Sequence, residues 1–347
     1  MKLQQLRVRN FRNHQDITCV FSPSVTTIHG MNGAGKTSLL EAIHIICRGS
    51  SFKGSDKDII GSNHEWYHVE SLDNTLYTRS YLYDARTSKK IKHYTVDDKK
   101  YGRLPQQHKW PVILFTPDDL RLVDGSPARR RRYLDYMLSQ LDANYATALR
   151  RYERALLQRN KLLKVPTISD DAFFPWDMLL SQSGAYIVVA REQFLTAINT
   201  DINRYYEQIA GINDALTVKY SATNTTPSAL LHTLQQTLAR DRLYGATSVG
   251  PHRHDMVVTM KGRDAADVMS RGELRTFILA IKYIEKDMFK SHTQKTPIVL
   301  LDDVFGELDD QRQQHLLGAF KGSQVIITST YLVTMPHIKS THVKLGN

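Results

Sequence analysis

Gly30-Met31-Asn32-Gly33-Ala34-Gly35-Lys36-Thr37 fills every place of the pattern G-x-x-x-x-G-K-[ST], and Ser38 follows it. A loop of this kind turns its backbone N–H groups inward around a phosphate chain, at the positive end of the helix it opens. Lys36 is expected on the β- and γ-phosphates and the Thr37 hydroxyl on Mg²⁺, so residues 30–38 predict a site for ATP and Mg²⁺. The flanks agree. The β-branched run Val25-Thr26-Thr27-Ile28-His29 leads into the loop, and Leu39, Leu40, Ile43, Ile46 and Cys47 leave it at helical spacing. The pattern needs a strand before it and a helix after it.

Outward from this loop the chain alternates between two textures. Residues 3–8 and 17–21 read as strands. Residues 65–96, with Tyr67, Val69, Tyr77, Tyr81, Tyr83 and Tyr94 among polar neighbours, read as a flanking antiparallel sheet. Val112-Ile113-Leu114-Phe115 is a buried strand stopped by Thr116-Pro117-Asp118-Asp119. From 120 to 241 the pattern turns helical, with Leu138, Leu141, Tyr145, Leu149, Tyr152, Leu156 and Leu163 three or four apart. Lys164-Val165-Pro166 breaks it, and 176–209 supplies a second helix able to fold back on the first. Strand patterns resume at 257–260, Ile298-Val299-Leu300-Leu301 and Val325-Ile326-Ile327. The expected organisation is an ATPase head from 1–119 and 242–347, interrupted by a helical arm at 120–241. No repeat of fixed period is present.

Three further segments carry chemistry. Asp302-Asp303 ends an apolar strand, where ligands bind in open α/β sheets. Asp302 is expected to hold Mg²⁺ directly or through water, and Asp303 to polarise the attacking water. Ser270-Arg271-Gly272-Glu273 opens a helix with Phe277, Ile278, Ile281 and Ile284 on one face. It reads both as a capping box and as an outward-pointing anion site for a γ-phosphate presented by another molecule. Thr328-Ser329-Thr330 ends the last strand, with hydroxyls that either reach the γ-phosphate or cap the next turn.

Lys and Arg number 46 against 35 Asp and Glu, a net charge of +11, which favours polyanionic partners, nucleic acid first. Arg129-Arg130-Arg131-Arg132 opens the arm after Ser126-Pro127, and Arg150, Arg151, Arg154, Arg159, Lys161 and Lys164 continue along it. Their density fits phosphate contacts along a groove, with Arg129, Arg130, Arg131, Arg150 and Arg151 as DNA-binding candidates, although such residues are also usual on a solvated helix face. Lys53, Lys57, Lys89, Lys90, Lys92, Lys99 and Lys100 add charge to the head. The charged N-terminus lacks a leader's apolar run, and no stretch has the roughly 18 apolar residues of a membrane span. A cytoplasmic location without a membrane partner is expected. Cys19 and Cys47 are too few for a disulfide framework, and the sequon at Asn224 has no secretory route.

The order of loop, insertion, serine-glycine segment and acid-tipped strand resembles the ABC-type ATPase heads of the SMC and Rad50 group. Within that group the chain is similar to the RecF family of bacterial recombination mediators. Asn10-Phe11-Arg12-Asn13, Phe115-Thr116-Pro117-Asp118-Asp119-Leu120, Gly125-Ser126-Pro127, Gly250-Pro251-His252-Arg253 and Glu307-Leu308-Asp309 carry the likeness, beside the loop and Leu301-Asp302-Asp303. The resemblance implies an α/β head with a mixed sheet, flanking antiparallel strands and an inserted helical arm. It implies an ATP-dependent homodimer in which the loop of one subunit and Ser270 of the other enclose nucleotide, with Lys36, Asp302, Asp303, Ser270 and Thr328 as catalytic candidates and Arg12 and Asn13 near the cofactor. It further implies binding to single-stranded and gapped duplex DNA, a weak DNA-stimulated ATPase, cooperation with RecR and RecO, loading of a RecA-type recombinase, and roles in repair, replication restart and SOS induction. Glu307-Leu308-Asp309 falls where the dimer partners meet.

The chain departs from the wider ABC pattern. Arg271 and Glu273 replace the more usual glycine and glutamine, Asp303 is one carbon shorter than the usual glutamate, and Thr328 stands where a histidine is common. A slow switch suits these changes better than a pump. The competing reading from another class is the nucleotide-binding subunit of a membrane transporter, which has no use for a basic arm. A structural clamp using ATP only as glue is a third, marked by the lack of phosphate release.

Overall fold

The computed structural model describes residues 2–61, 64–73, 78–84, 86, 91–223, 225–332 and 340–346. Tyr77, Lys89, Lys90 and Asn224 lie outside the described residues. The chain forms two compact units, one of 1–119 with 285–347 and one of 120–284.

The first unit is built on a five-stranded parallel sheet in the order Ser340–Lys344, Val25–His29, Gln324–Ser329, Ile298–Asp302, Val112–Phe115. Strands buried on both faces must be apolar almost throughout, and Ile298–Asp302 and Gln324–Ser329 are buried at every position. A six-stranded antiparallel sheet runs His14–Val20, Leu3–Phe11, Trp66–Asp73, Thr78–Asp84, Ile91–Val96, Lys99–Tyr101. Its strands alternate, as Trp66–Asp73 does strictly, because only one face meets the core. The helix Lys36–Arg48 packs against strands of both sheets. That position buries it nearly all round and explains why its apolar residues are not confined to one stripe. Gly49, in the left-handed region at φ 84°, closes it by donating to the Ile45 carbonyl.

The second unit holds the helices Pro127–Leu141, Ala143–Leu162 and Phe174–Ala210, shorter helices, and a small antiparallel sheet of Leu216–Ser221, Asp255–Met260 and Arg263–Asp264. It differs from expectation in three places. The periodic stretch around 138–163 is two helices, split at Asp142, whose backbone is extended and whose side-chain carboxylate caps the second by accepting from the Asn144 N–H. Leu216–Ser221 is a strand inside the stretch read as helical; its six residues are too short to override the helical texture around it. It also recruits Asp255–Met260 in full antiparallel register, so 242–284, expected in the head, packs with the inserted unit.

Buried ionic groups organise this unit. Arg159, one of the arm's basic residues read from the sequence as suited to phosphate contacts or to a solvated face, is fully buried. It donates to Asp177 at 2.6 Å, Asp241 at 2.7 Å, the Thr247 hydroxyl at 3.0 Å and the Leu234 carbonyl at 3.1 Å. Arg191 likewise serves Asp135, Tyr145, Tyr220 and the Pro251 carbonyl. Burial pushes His252 and His254 down to about 4. Both therefore stay neutral in the folded chain while the unfolded chain takes up protons below about 6.5. Stability is fully present above that pH and is lost as pH falls from 6.5 towards 4. Thermal melts at pH 7.5 and 5.0 are expected to show a lower midpoint at pH 5.0, with His252→Gln narrowing the gap.

Candidate nucleotide-binding site

The strand Val25–His29 delivers the loop to the carboxyl edge of the parallel sheet, and two glycines let it turn there. Gly33 and Gly35 sit at φ 84° and 90°, where a side chain is strained. A Cβ at Gly35 would also collide with Asn13 and His14. The Lys36 ammonium lies within the turn, donating to the Gly30 carbonyl at 2.7 Å and the Met31 carbonyl at 3.1 Å. A phosphate entering the loop meets a cation already held by two dipoles.

Asp302 and Thr328 end neighbouring parallel strands in direct register. The Thr37 hydroxyl donates to Asp302 Oδ1 at 2.7 Å, and the Thr328 hydroxyl donates to the same oxygen at 3.0 Å. Thr328 Oγ1 in turn accepts the Asp303 N–H at 2.9 Å. This network turns Thr328, fully buried, towards the two acids, a positioning arrangement that neither of its expected roles included. Ser329 does cap the next turn, accepting from the Tyr331 N–H. Asp303 is exposed and left-handed at φ 57°, which costs a non-glycine residue about 1 kcal/mol or more.

A cleft of about 540 Å³ opens beside the loop, lined by Arg12, Asn13, Asn32, Gly33, Gly35, Lys36, Thr37, Ser38, Asp58, Ile60 and Asp303. Arg12 and Asn13 thus stand at the cleft. Asn13 donates to the Gly33 carbonyl at 2.9 Å. Arg12, left-handed at φ 55°, grips both oxygens of the buried Glu41 at 2.9 Å, and that carboxylate raises its pKa. A bidentate pair between a hairpin turn and the P-loop helix fixes the cleft wall. Gly30 and Ala34 belong to the loop without lining the cleft, and Met31 is 80% exposed beyond it.

Several partners escaped the sequence. Glu41 looks like one more helix residue, and Asp58 and Ile60 lie in a stretch without a motif. His14 bonds the Gly35 carbonyl at 3.1 Å and burial lowers its pKa. The clue for His14 was its place directly after Asn13. Among the described residues no cluster of three or more metal-ligating side chains exists. Thr37 and Asp302 nevertheless fit Mg²⁺, which keeps its waters and takes one or two carboxylates with substrate phosphates.

Ser270 lies in the second unit, exposed, where its hydroxyl accepts the Glu273 N–H at 3.3 Å and Glu273 accepts the Ser270 N–H at 2.7 Å. The capping box is real, and the helix start stays open to solvent. The basic residues divide. Arg150 and Arg151 are exposed on Ala143–Leu162. Arg130 instead holds Asp255 through two bonds of 2.8 and 2.6 Å and donates to the carbonyls of Val123 and Gly125, and Arg131 donates to the His254 carbonyl. Arg129 packs close to Gly125. Three of the five expected DNA contacts therefore sit at the start of a helix facing its own unit, which a run of four arginines does not reveal. Asp309 caps the helix Asp310–Ala319, accepting from the Arg312 N–H.

A family model described as an AAA domain matches residues 5–162. The DNA replication and repair protein RecF of Symbiobacterium thermophilum is 35% identical to the chain, over 96% of it and 92% of the relative. A solved structure of the recombination mediator protein RecF with ATP, in the RecFOR pathway, is 29% identical with a TM-score of 0.83, covering 97% of this chain and 93% of the other. An SMC head bound to the C-winged helix domain of ScpA is 14% identical with a TM-score of 0.50, over 95% and 90%, a likeness of fold alone. The fold is that of an ABC-type P-loop ATPase head, with its mixture of parallel and antiparallel sheets.

Proposed function

Because the chain belongs to the RecF family of DNA replication and repair proteins, we propose that it is an ATP-dependent, DNA-binding recombination mediator. The observation that supports this most is the convergence of the Thr37 and Thr328 hydroxyls on Asp302, beside a P-loop whose lysine is already in place. ATP binds in the cleft with its phosphates in the loop. Mg²⁺, held by Thr37 and Asp302, would neutralise phosphate charge when bound. Asp303 is the base for the attacking water, and Thr328 orients both acids. With a short, strained Asp303 the chain is a weak ATPase, stimulated by DNA, whose slow turnover times a switch.

The switch is a homodimer. Each copy's P-loop faces the other's Ser270, whose exposed helix start offers its hydroxyl and a positive dipole end to a γ-phosphate. The dimer engages single-stranded and gapped duplex DNA, works with RecR- and RecO-type mediators, and helps load a RecA-type recombinase. It serves repair, replication restart and SOS induction in the cytoplasm. Among the described residues no helix is long and apolar enough to cross a membrane.

Sedimentation with and without ATP and a gapped duplex tests this reading. The chain is expected to dimerise with ATP and co-sediment with DNA, and Ser270→Arg to remain monomeric with ATP while still binding it. Unchanged dimerisation in Ser270→Arg would sink the sandwich. For DNA, the double variant Arg150→Glu and Arg151→Glu should weaken duplex binding at least about tenfold at low salt and flatten its salt dependence, by removing two exposed phosphate contacts. Arg130→Glu should lower the melting temperature instead, because it sets an acid against Asp255.

A further inference from the structure

Two of the tyrosines that mark the flanking sheet turn their hydroxyls to a single carboxylate. Tyr67, on Trp66–Asp73, and Tyr81, on Thr78–Asp84, are fully buried, and both donate to Asp56 Oδ1, at 2.8 and 2.5 Å. Lys92, on the next strand Ile91–Val96, donates to Asp56 Oδ2 at 2.7 Å, its ammonium 5.4 Å from the centre of the Tyr81 ring. Three strands of one sheet thus converge on one acid. Burial works against its charge, and the bonds from Lys92, Tyr81 and Tyr67 outweigh it, holding its pKa below the usual carboxylate range. Two hydroxyls and an ammonium on one partly buried carboxylate fix its place on the sheet.

Asp56 opens the single turn Asp56–Ile59, of which only Ile59 is buried. One helical turn has no stability of its own, so its bonds to the rest of the head decide where it sits. Its far end reaches the nucleotide cleft. The Ile59 carbonyl accepts the Arg12 N–H at 2.7 Å, and the Asp58 carbonyl accepts from the Arg12 guanidinium. Ile60 bridges to Phe11, which meets the Tyr67 ring edge to face at 5.3 Å. Asp58 and Ile60 line the cleft, and Asp56 does not. With the phosphates on residues 30–38 and Asp303 at the attacking water, the lining left for the base and ribose of ATP is Arg12, Asn13, Asp58 and Ile60.

We propose that Asp56 is a positioning residue for the nucleotide: Tyr67, Tyr81 and Lys92 hold it to the sheet, and it holds the wall of Arg12, Asp58 and Ile60 against the nucleoside end of ATP. This role rests on ATP binding in the cleft as proposed above, and it falls to residues that touch no part of the ligand. A residue that only stabilised the head would, when lost, weaken every ligand of the cleft alike. A wall set for the nucleoside matters only to a ligand that has one.

Calorimetric titration of the full chain, in Mg²⁺, with ATP and separately with inorganic triphosphate tests the proposal. Asp56→Ala is expected to lower ATP affinity about tenfold, the order of one lost charge-assisted contact, and to leave triphosphate affinity within about twofold of the parent's. Asp56→Asn, whose side-chain oxygen can still accept from both tyrosines, should recover most of the loss. Tyr81→Phe keeps the buried ring and removes one of the three donors. It should lower ATP affinity about threefold with the same sparing of triphosphate, and it decides the matter if a thermal melt shows Asp56→Ala unfolded. Unchanged ATP affinity in the folded variants would overturn the positioning role, and so would ATP and triphosphate weakened alike. A parent chain that binds neither ligand overturns the nucleotide reading itself, and the positioning role with it.

Discussion

Lys36→Ala is expected to remove measurable ATP binding at micromolar nucleotide, the largest functional loss any single substitution should cause. The ammonium is buried in the turn and held by two carbonyls, so it is positioned before nucleotide arrives. A charge-assisted bond of this kind contributes about 2–3 kcal/mol, a drop of roughly 30- to 150-fold in affinity when lost. In the proposed sandwich, dimerisation should fail with it, because the bound γ-phosphate joins the two copies. Lys36→Arg should fare little better, because a planar guanidinium does not fit where a compact ammonium meets two carbonyls. Titration with a fluorescent ATP analogue, alongside a thermal melt, separates lost affinity from lost fold. Unchanged affinity in both variants would move the nucleotide away from residues 30–37.

The largest structural loss is expected from Arg159→Met. The guanidinium joins two helices, Asp241 and the loop carrying Thr247, and no part of it reaches solvent. Its removal strands the carboxylates of Asp177 and Asp241 in the interior, which costs about 3–5 kcal/mol. Burial already pushes the Asp177 pKa up, against the pull of Arg159. Without the arginine, Asp177 can relieve its share of the cost by taking up a proton. The deficit of the variant, measured by urea unfolding, should therefore shrink between pH 8 and pH 5. A pH-independent deficit would mean the loss comes from packing instead of stranded charge.

Both predictions concern cations in helices, and only the first was legible in the sequence. Lys36 belongs to a local motif: eight consecutive residues bend the chain and place the lysine, so spacing alone carries its role. Arg159 stands in a helix beside Arg150, Arg151 and Arg154, and nothing within a few residues marks it as the buried member. Its partners are 18, 82 and 88 positions away. Arg130 misled in the same way, because its partner Asp255 is 125 positions distant. The pairing of Leu216–Ser221 with Asp255–Met260 moved 242–284 from the head to the inserted unit. That difference from expectation also came from a contact between segments far apart in the chain.

Sequence by itself determined the P-loop, the acids at the end of a buried strand, the capping box at Ser270 and the likeness to RecF, since each is written in residues close together. Tertiary structure alone decided that Thr328 serves Asp302, that Arg12 grips Glu41, and which arginines remain at the surface. The physical reason is that hydrogen bonds and desolvation depend on what lies within a few ångströms in space. Chain order reports that neighbourhood only when the chain has not travelled far between the partners.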